Sequence, residues 1–419
     1  MKENLYGRLL TKNEISEIDR EVKRLESMTE LSHTKIQCNR CGTIHIKVQV
    51  SLPIGVYYCP SCITMQRVRS DQPLYHLPQK SFSALSAIQW QGQLTPYQEQ
   101  ISKELLKAVE QREQILVHAV TGAGKTEMIY QSIDKALSSG GAVGIASPRI
   151  DVCIELHGRL SRDFDCSIPL LHGEGEAFFR SPLVICTTHQ LLRFKEYFDL
   201  LIIDEVDAFP FVDNTMLYHG VEQARKMDST LIYLTATSTR ELNNKVKKGQ
   251  LRKVHLPRRF HGNPLVVPQT LWHTKFKEEI KKQRKSSFPL LIFAPEIEFG
   301  KAFTEKLKKE FPHEKIDFVA STTENRLDIV QQFRQKKLTI LVSTTILERG
   351  VTFPMVDVFV IDAHHHNFTS SALIQIAGRA GRSPERPTGL VHFFHQGKNT
   401  AILTAISEIK KMNKLGGLQ

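Results

Sequence analysis

The sequence lacks any apolar run long enough to cross a bilayer, since no uncharged stretch approaches the roughly 18–20 residues that a spanning helix needs. Its start, MKENLYGRLLTKNE, carries charged side chains throughout and has no apolar h-region of the kind found in signal peptides. Low-complexity segments are also missing. We therefore expect a cytosolic chain, and 419 residues leave room for two or three globular domains.

Acidic residues are scarce in one part of the chain. Between Arg240 and Lys285 there are 14 lysines and arginines against three glutamates, a net charge of +11 within a chain whose total is +12. Such a stretch is either a solvated surface or a positively charged binding surface for a polyanion such as nucleic acid. The sequence leaves both interpretations open.

Cysteine is also sparse, and the odd count of seven argues against a disulfide framework in a cytosolic chain. Cys153, Cys166 and Cys186 are scattered through apolar or mixed surroundings, where we expect buried thiols.

The other four cysteines form two CxxC pairs with 17 residues between them, the spacing of a four-thiolate zinc site. The ligands would be Cys38, Cys41, Cys59 and Cys62. The segment between the pairs is predicted to form a hairpin. Free thiols or an iron–sulfur cluster are the alternatives. His33 and His45 are surplus to a complete tetrahedral set.

The remaining chain alternates short apolar runs with helical patterns, as expected of α/β domains with parallel sheets buried on both faces. Ile15, Ile18, Val22 and Leu25 have helical spacing ahead of the cysteines. The predicted organisation is an N-terminal helix over residues 1–30, a zinc module over 31–70, a linker over 71–93, and α/β domains over 94–258 and 259–419.

The segment AVTGAGKTEM follows an apolar run and precedes a helical pattern, the setting of a nucleotide phosphate loop. Glycines let backbone N–H groups face the phosphates, Lys125 reaches the β- and γ-phosphates, and the Thr126 hydroxyl binds Mg²⁺. The strict pattern begins with glycine, where this chain has Ala119. The predicted nucleotide-binding residues of the loop are Thr121, Gly122, Ala123, Gly124, Lys125 and Thr126.

The apolar run LLII leads directly into Asp204 and Glu205. An aspartate at the end of a strand holds Mg²⁺, and an adjacent glutamate orients or deprotonates water, so this pair indicates hydrolysis of ATP rather than transfer to a substrate. Thr235 and Thr237 end the next strand, and we expect their hydroxyls to bond to these carboxylates.

Far downstream, QIAGRAGRS places Arg379 and Arg382 three residues apart, on one face of a predicted helical turn. Arginines of this kind neutralise charge on a γ-phosphate in the transition state. Together with Gln375 they are the catalytic candidates of the second α/β domain. A run of three histidines, His364–His366, is interpreted as a loop and not as a metal site.

With these motifs the chain resembles superfamily 2 helicases and translocases over residues 94 to about 400. The resemblance implies two RecA-like domains with ATP in the cleft between them. It also implies that Gln98, within LTPYQEQ, recognises adenine. The residues that correspond to nucleic-acid-backbone contacts are Arg149, Thr187, Thr188 and Thr344.

The chain reads RGVT and DEVD where DEAD-box RNA helicases have other residues. With cysteines ahead of the motor and the segments TTHQLLRF, DEVDAFP and LPRRFHG, it is similar to the ComFA family of late-competence ATPases. PriA-like replication-restart helicases have a similar motor, but they are longer and carry their cysteines within it.

The resulting hypothesis is an ATPase that moves single-stranded DNA, using Mg²⁺ and Zn²⁺, in the import of transforming DNA. The resemblance implies a competence phosphoribosyltransferase-like partner, a membrane DNA channel and a location at the inner face of the cell membrane. The alternatives are a PriA-like restart or repair helicase, and a zinc-dependent nucleic-acid-binding scaffold with a vestigial ATPase.

Overall fold

The computed structural model describes residues 2–15, 18, 20–173 and 177–418. These residues divide into two compact units. The first unit comprises Met1–Val117 and Thr126–Val254, and the second comprises His118–Lys125 and His255–Gln419. No helix among the described residues is long and apolar enough to cross a membrane.

The N-terminal region consists of short strands and 3-10 turns. Its strands are β1 (Leu9–Leu10), β2 (Lys23–Leu25), β3 (Met28–Glu30), β4 (Lys35–Cys38), β5 (Ile44–Ile46) and β6 (Leu74–His76). They form two small antiparallel sheets with the orders β1-β6-β2 and β3-β4-β5.

The helix predicted over residues 1–30 is wrong for the described part of that range; residues 1, 16, 17 and 19 lie outside it. Ile15 and Val22 instead pack with Tyr75 and Leu77 beside the β1-β6-β2 sheet. The apolar spacing therefore serves a sheet, which sequence periodicity over so few residues does not distinguish from a helix.

The linker prediction also fails in part, since Leu74–His76 is the buried central strand of that sheet. The predicted hairpin is found only in the second half of the segment between the cysteine pairs, where Ser51 and Tyr57 form an antiparallel bridge. The first half consists of β5 and a 3-10 helix, Lys47–Val50. Short-range pairing with β4 uses the first part of that segment, so the rest turns back separately.

The larger sheet has the strand order β13-β7-β12-β11-β8-β10-β9. Its strands are β7 (Gln114–Ala119), β8 (Val143–Ser147), β9 (Leu170–Leu171), β10 (Leu183–Thr187), β11 (Phe198–Ile203), β12 (Arg225–Thr235) and β13 (Arg252–Leu256). Its helices are α1 (Pro96–Gln111), α2 (Tyr130–Ser138), α3 (Ile150–Asp163), α4 (Thr215–Ala224) and α5 (Arg240–Lys247). The chain passes from one unit to the other at the ends of β7 and β13.

The second unit contains a parallel sheet with the order β14-β19-β18-β15-β17-β16. Its strands are β14 (Gln269–Trp272), β15 (Leu290–Phe293), β16 (Ile316–Val319), β17 (Ile340–Ser343), β18 (Asp357–Val360) and β19 (Val391–His395). Its helices are α6 (Phe276–Arg284), α7 (Ile297–Glu310), α8 (Arg326–Arg334), α9 (Ser370–Ala377) and α10 (Thr400–Leu415).

The central strands explain why these sheets form. Every residue of β8, β15, β17 and β18 is buried, and the sequences are mainly apolar without alternation, as in parallel sheets covered by helices on both faces. The predicted α/β class with two sheets is confirmed.

The unit boundary differs from the predicted boundary at residues 258 and 259. It lies between Val254 and His255, and the glycine turn of the phosphate loop packs with the second unit. Two hydrogen bonds contribute to the difference, because they join that turn to Leu256 and Phe260 of the second unit.

Candidate nucleotide site and cysteine centre

The carboxylates of the first unit follow β11, the central strand of its larger sheet. After β11 the chain leaves the sheet at Asp204, whose N–H donates to the Ala146 carbonyl at 2.8 Å. Glu205 then adopts a left-handed conformation with φ of 56° and donates its N–H to Asp204 Oδ1 at 2.8 Å. This turn places two consecutive carboxylates where the parallel strands end, as the sequence predicts.

The hydroxyls of Thr235 and Thr237 bond to a third carboxylate, Asp207, which follows the predicted pair in sequence. Thr235 Oγ1 donates to Asp207 Oδ1 at 2.9 Å, and Thr237 Oγ1 donates to Asp207 Oδ2 at 2.6 Å. Asp207 is buried, so these donors stabilise a charge that is removed from water. Sequence reasoning missed this residue, although it is the final aspartate of DEVD.

The phosphate loop begins where β7 ends. Gly122 and Gly124 have φ angles of 76° and 70°, which residues with a Cβ rarely adopt. The Val120 N–H donates to the Leu256 carbonyl at 3.0 Å, and the Gly122 carbonyl accepts from the Phe260 N–H at 3.1 Å. The loop is thus a tight turn fixed by the segment that opens the second unit.

Thr121, within this turn, tests whether the loop suits a nucleotide. Its side chain is buried, and its hydroxyl has no hydrogen-bond partner among the described residues. A buried hydroxyl without a partner costs free energy, and a phosphate oxygen is one acceptor that would satisfy it. Lys125 and Thr126 follow in half-buried positions. These residues fit the predicted nucleotide.

The arginine loop, residues 378–382, does not have the predicted geometry. Helix α9 carries the buried Gln375 and ends at Ala377, so Arg379 and Arg382 lie in the turn beyond the helix. Arg379 is only 1% exposed, whereas Arg382 is half-buried. The two arginines therefore occupy different environments rather than one helical face.

Arg382 is fixed by acceptors in its own unit. Its Nε donates to the Gly378 carbonyl at 3.1 Å, and its Nη1 donates to Thr352 Oγ1 at 3.4 Å. Thr352 belongs to RGVT, the segment that departs from the DEAD-box pattern. The sequence shows this departure but carries no signal for the contact between Thr352 and Arg382.

The arginine loop lies against the phosphate loop within the second unit. A Cβ on Gly378 would overlap the Thr121 side chain. Glycine is therefore required at this position for close approach rather than for its backbone angle, since its φ of −64° is helical. The structure thus brings together two predicted parts of a nucleotide site that are some 250 residues apart.

Gln98 is buried in the first turn of α1. Its side-chain carbonyl accepts from the Thr95 N–H at 2.9 Å and from Thr95 Oγ1 at 3.0 Å, which forms a capping box. Its local role is thus to cap the helix. Adenine recognition by this residue stays a prediction.

The predicted nucleic-acid contacts lie at the ends of strands. Arg149 caps α3 after β8, Thr187 ends β10, and Thr344 follows β17. These three side chains are half-buried, whereas Thr188 is completely buried and offers no surface to a ligand in this structure.

The basic stretch between residues 240 and 285 is not one positively charged surface. Glutamates from other elements pair with several of its cations. The pairs are Arg252 with Glu104 and Glu113, Lys277 with Glu310, and Arg284 with Glu314. Arg259 is buried instead of facing solvent. Counting charge along the chain missed these partners because they are distant in sequence.

The four paired cysteines converge on one buried point. Each of Cys38, Cys41, Cys59 and Cys62 is 0% exposed, and the four sulfurs lie within 4.8 Å of one another. The Sγ–Sγ separation is 3.9 Å for Cys38 and Cys62 and 3.5 Å for Cys41 and Cys59. Four sulfurs about 2.3 Å from a tetrahedral zinc ion would be about 3.8 Å apart, so the residues fit the ion.

His45 is closer to this centre than its surplus position in the sequence indicates. Its Nε2 lies 3.2 Å from Cys59 Sγ, within hydrogen-bonding distance. The centre is part of the first unit, because the core around it includes Leu192, and Gly42 lies against His219 of α4. The module is therefore packed on the larger sheet's helices.

The other cysteines behave largely as predicted. Cys153 and Cys186 are buried and Cys166 is half-buried. Burial raises the pKa of the Cys153 thiol to about 12 and that of Cys166 to about 11. These thiols stay protonated and unreactive at neutral pH.

Two family matches cover most of the region after the cysteine module. Residues 91–240 match the family of type III restriction enzyme res subunits, and residues 273–384 match the helicase conserved C-terminal domain. The yeast protein Dbp5, solved with RNA and ADP BeF3, has a similar fold, with a TM-score of 0.54 over 76% of this chain and 91% of that chain. Because the two sequences are only 16% identical, this structural similarity supports the tandem RecA-like fold and nothing further.

Two relatives match along all or nearly all of their length. The competence protein ComFA of Streptococcus pneumoniae is 55% identical over 100% of both chains. The competence protein ComFA of Bacillus subtilis is 38% identical over 99% of this chain and 95% of its own. Matches of this extent do not favour the PriA-like or scaffold alternatives.

Proposed function

This chain belongs to the ComFA family of competence proteins and is an ATP-hydrolysing enzyme of helicase superfamily 2, and we propose that it moves single-stranded DNA during the uptake of transforming DNA. The contact between Thr121 and Gly378 supports this proposal most directly. It brings a phosphate-binding turn together with an arginine loop, the combination that phosphoryl-transfer motors require.

We assign the roles in hydrolysis residue by residue. Lys125 holds the β- and γ-phosphates of ATP, while Thr126 and Asp204 are the Mg²⁺ ligands. Bound Mg²⁺ supplies charge neutralisation on the phosphate oxygens. Glu205 orients the attacking water and accepts its proton. Arg379 and Arg382 stabilise the negative charge that develops in the transition state, and Gln375 supports the loop that carries them.

We assign the DNA contacts to Arg149 and Thr187 in the first unit and to Thr344 in the second. Each of these half-buried side chains lies at or just after the end of a strand and can donate to a phosphate oxygen. Contacts with phosphates carry no sequence information, as a transport motor needs. In this mechanism the units grip the strand alternately while ATP is turned over.

The experiment compares steady-state ATP hydrolysis with and without single-stranded DNA in the native chain, Lys125→Ala and Lys135→Ala. We expect DNA to stimulate hydrolysis in the native chain. The rate of hydrolysis should fall about 100-fold or more in Lys125→Ala, since the substitution removes the positive charge that neutralises the γ-phosphate. Lys135 is exposed on α2 and should tolerate substitution. A native chain that DNA does not stimulate contradicts the proposal.

We propose that the four thiolates bind one Zn²⁺ ion, supported by the near-tetrahedral spacing of their sulfurs. Metal analysis of the purified chain should find one zinc per chain. Cys59→Ser should lose the metal and melt at a lower temperature, because zinc binding contributes directly to folding of so small a module. Cys166→Ser, outside the cluster, should keep both. Zinc absent from the native chain, or iron in its place, refutes the assignment.

Family membership also supports two finer proposals. We propose that the motor works at the cytoplasmic face of the membrane DNA channel, and that a competence phosphoribosyltransferase-like protein is its partner. Co-purification of the two proteins from competent cells tests the second proposal, with a strain lacking the partner as control.

A further inference from the structure

Arg259, in the segment LPRRFHG, spans the arginine loop from within the second unit. Its Nη1 donates to the carbonyl of Ala380 at 2.8 Å and also to that of Gly381, and its Nη2 donates to the carbonyl of Gly378 at 3.3 Å. One guanidinium thus binds three carbonyls of the loop that carries Arg379 and Arg382. The planar fork of arginine suits this arrangement, whereas lysine would offer only a point charge.

The same residue also lies beside the phosphate loop. A Cβ on Gly122 would lie 3.8 Å from Arg259 Cγ, which is ordinary van der Waals contact. The next residue, Phe260, donates its N–H to the Gly122 carbonyl at 3.1 Å, and Leu256 accepts from Val120 at 3.0 Å. The segment from Leu256 to Phe260 therefore has the phosphate loop as one neighbour and the arginine loop as another.

The charge of Arg259 is buried without an acidic partner. The side chain is 2% exposed, no carboxylate among the described residues forms an ion pair with it, and its Nε has no hydrogen-bond partner there. Burial, followed by the nearby charge of Arg382, lowers the pKa of the guanidinium to about 9. At neutral pH it stays charged and is held by carbonyls at the C-terminal end of α9, where the helix dipole is negative.

A buried cation held only by carbonyls is costly unless an anion lies near it. The phosphates of a nucleotide in the neighbouring loop are such an anion. Two features would then depend on the Arg259 side chain. Its charge would favour nucleotide binding, and its three hydrogen bonds would hold the arginine loop in place.

We propose that Arg259 is a positioning residue that links the phosphate loop to the arginine loop, so that polyphosphate binding fixes Arg379 and Arg382 for hydrolysis. The proposal rests on the ATPase function proposed above. Arg259 does not touch the reacting atoms; it acts through the two arginines of the loop.

The test separates charge from geometry with Arg259→Lys, which keeps the charge, and Arg259→Met, which removes it. Methionine has no donor, and the shorter lysine lacks the planar fork that reaches all three carbonyls, so we expect kcat to fall about tenfold or more in both. The affinity for a fluorescent ATP analogue should stay near the native value in Arg259→Lys and weaken in Arg259→Met. Arg258→Met is the matched control, since Arg258 donates to the Gly416 carbonyl instead. It should retain native kcat and affinity.

A double-mutant cycle with Arg382→Ala distinguishes positioning from a general loss of structure. If Arg259 acts through the arginine loop, the double variant should have almost the same kcat as Arg382→Ala alone. Three outcomes overturn the proposal. The first is a double variant whose loss of kcat equals the product of the two single losses. The others are native kcat in both Arg259 variants, or an equal loss of nucleotide affinity in Arg259→Lys and Arg259→Met. A native chain without ATPase activity would instead defeat the proposed function itself.

The melting temperature of each variant shows whether a loss of activity comes from misfolding. Arg259→Met removes a buried charge that has no acidic partner but also leaves three carbonyls without their donor, so its melting temperature should stay close to the native value. If the Met variant does not fold, the kcat and affinity of Arg259→Lys still decide between positioning and no role.

Discussion

The buried Asp207 of the first unit and the buried Arg259 of the second unit are held in opposite ways. In the first unit, Asp207 is an acceptor that takes its hydrogen bonds from threonine hydroxyls some 30 residues later in the chain. In the second unit, Arg259 and Arg382 are donors whose acceptors include backbone carbonyls just beyond α9. A carboxylate needs donors from other side chains or amides, whereas a guanidinium can use the carbonyls that every helix leaves unpaired at its C-terminal end.

This contrast has a consequence for mutation. The acidic centre, formed by Asp204, Glu205 and Asp207, depends on threonine hydroxyls at and just after the end of β12. Substitution of one of these hydroxyls therefore removes a hydrogen bond to Asp207 directly. The arginine loop depends on backbone position, so the sensitive residues there are glycines that permit close approach.

The largest expected effect is at the acidic centre. Glu205→Gln removes the proton acceptor but keeps the size of the side chain, so ATP hydrolysis should fall about 100-fold or more. Binding of a fluorescent nucleotide should persist, because the phosphate-loop residues are intact. Glu196→Gln, an exposed glutamate of the same unit, is the control. Hydrolysis at the native rate in Glu205→Gln would exclude it as the base.

An intermediate effect is expected at the arginine loop. Gly378→Ala places a Cβ against Thr121 and should reduce kcat about tenfold, because the arginine loop must shift away from the phosphate loop. Gly397→Ala, where a Cβ meets nothing within 4 Å, should have the native kcat. Equal rates in both variants would mean that the contact between the loops does not matter for turnover.

The smallest effect compares two threonines of β12. Thr235→Val removes a hydroxyl that donates to the buried carboxylate of Asp207, and chemical denaturation should show a loss of about 2 kcal/mol. Thr230 donates to the Ala108 carbonyl at 3.3 Å, and Thr230→Val should cost about 1 kcal/mol, since the group left behind is neutral. The reverse order would show that the charge on Asp207 is compensated elsewhere.

Local patterns carried the prediction where neighbours in sequence are also neighbours in space. The CxxC pairs, the glycine turn at Gly122 and the aliphatic strands each need only a few consecutive residues, and the structure has them. The prediction of an N-terminal helix was wrong because residues distant in sequence decide the structure there. Ile15 and Val22 satisfy a helical pattern, but distant Tyr75 and Leu77 decide that the chain packs beside a sheet.

The amino-acid sequence by itself determined the chemistry of this protein: four thiols, a phosphate loop, a pair of acids and a pair of arginines. The tertiary structure alone decided which of these groups meet. Asp207 receives the threonine hydroxyls, distant glutamates pair with the basic stretch, and Arg259 lies beside two loops that are more than 250 residues apart. The physical reason is that hydrogen bonds and ion pairs depend on distance in space, which the order of residues along the chain does not contain.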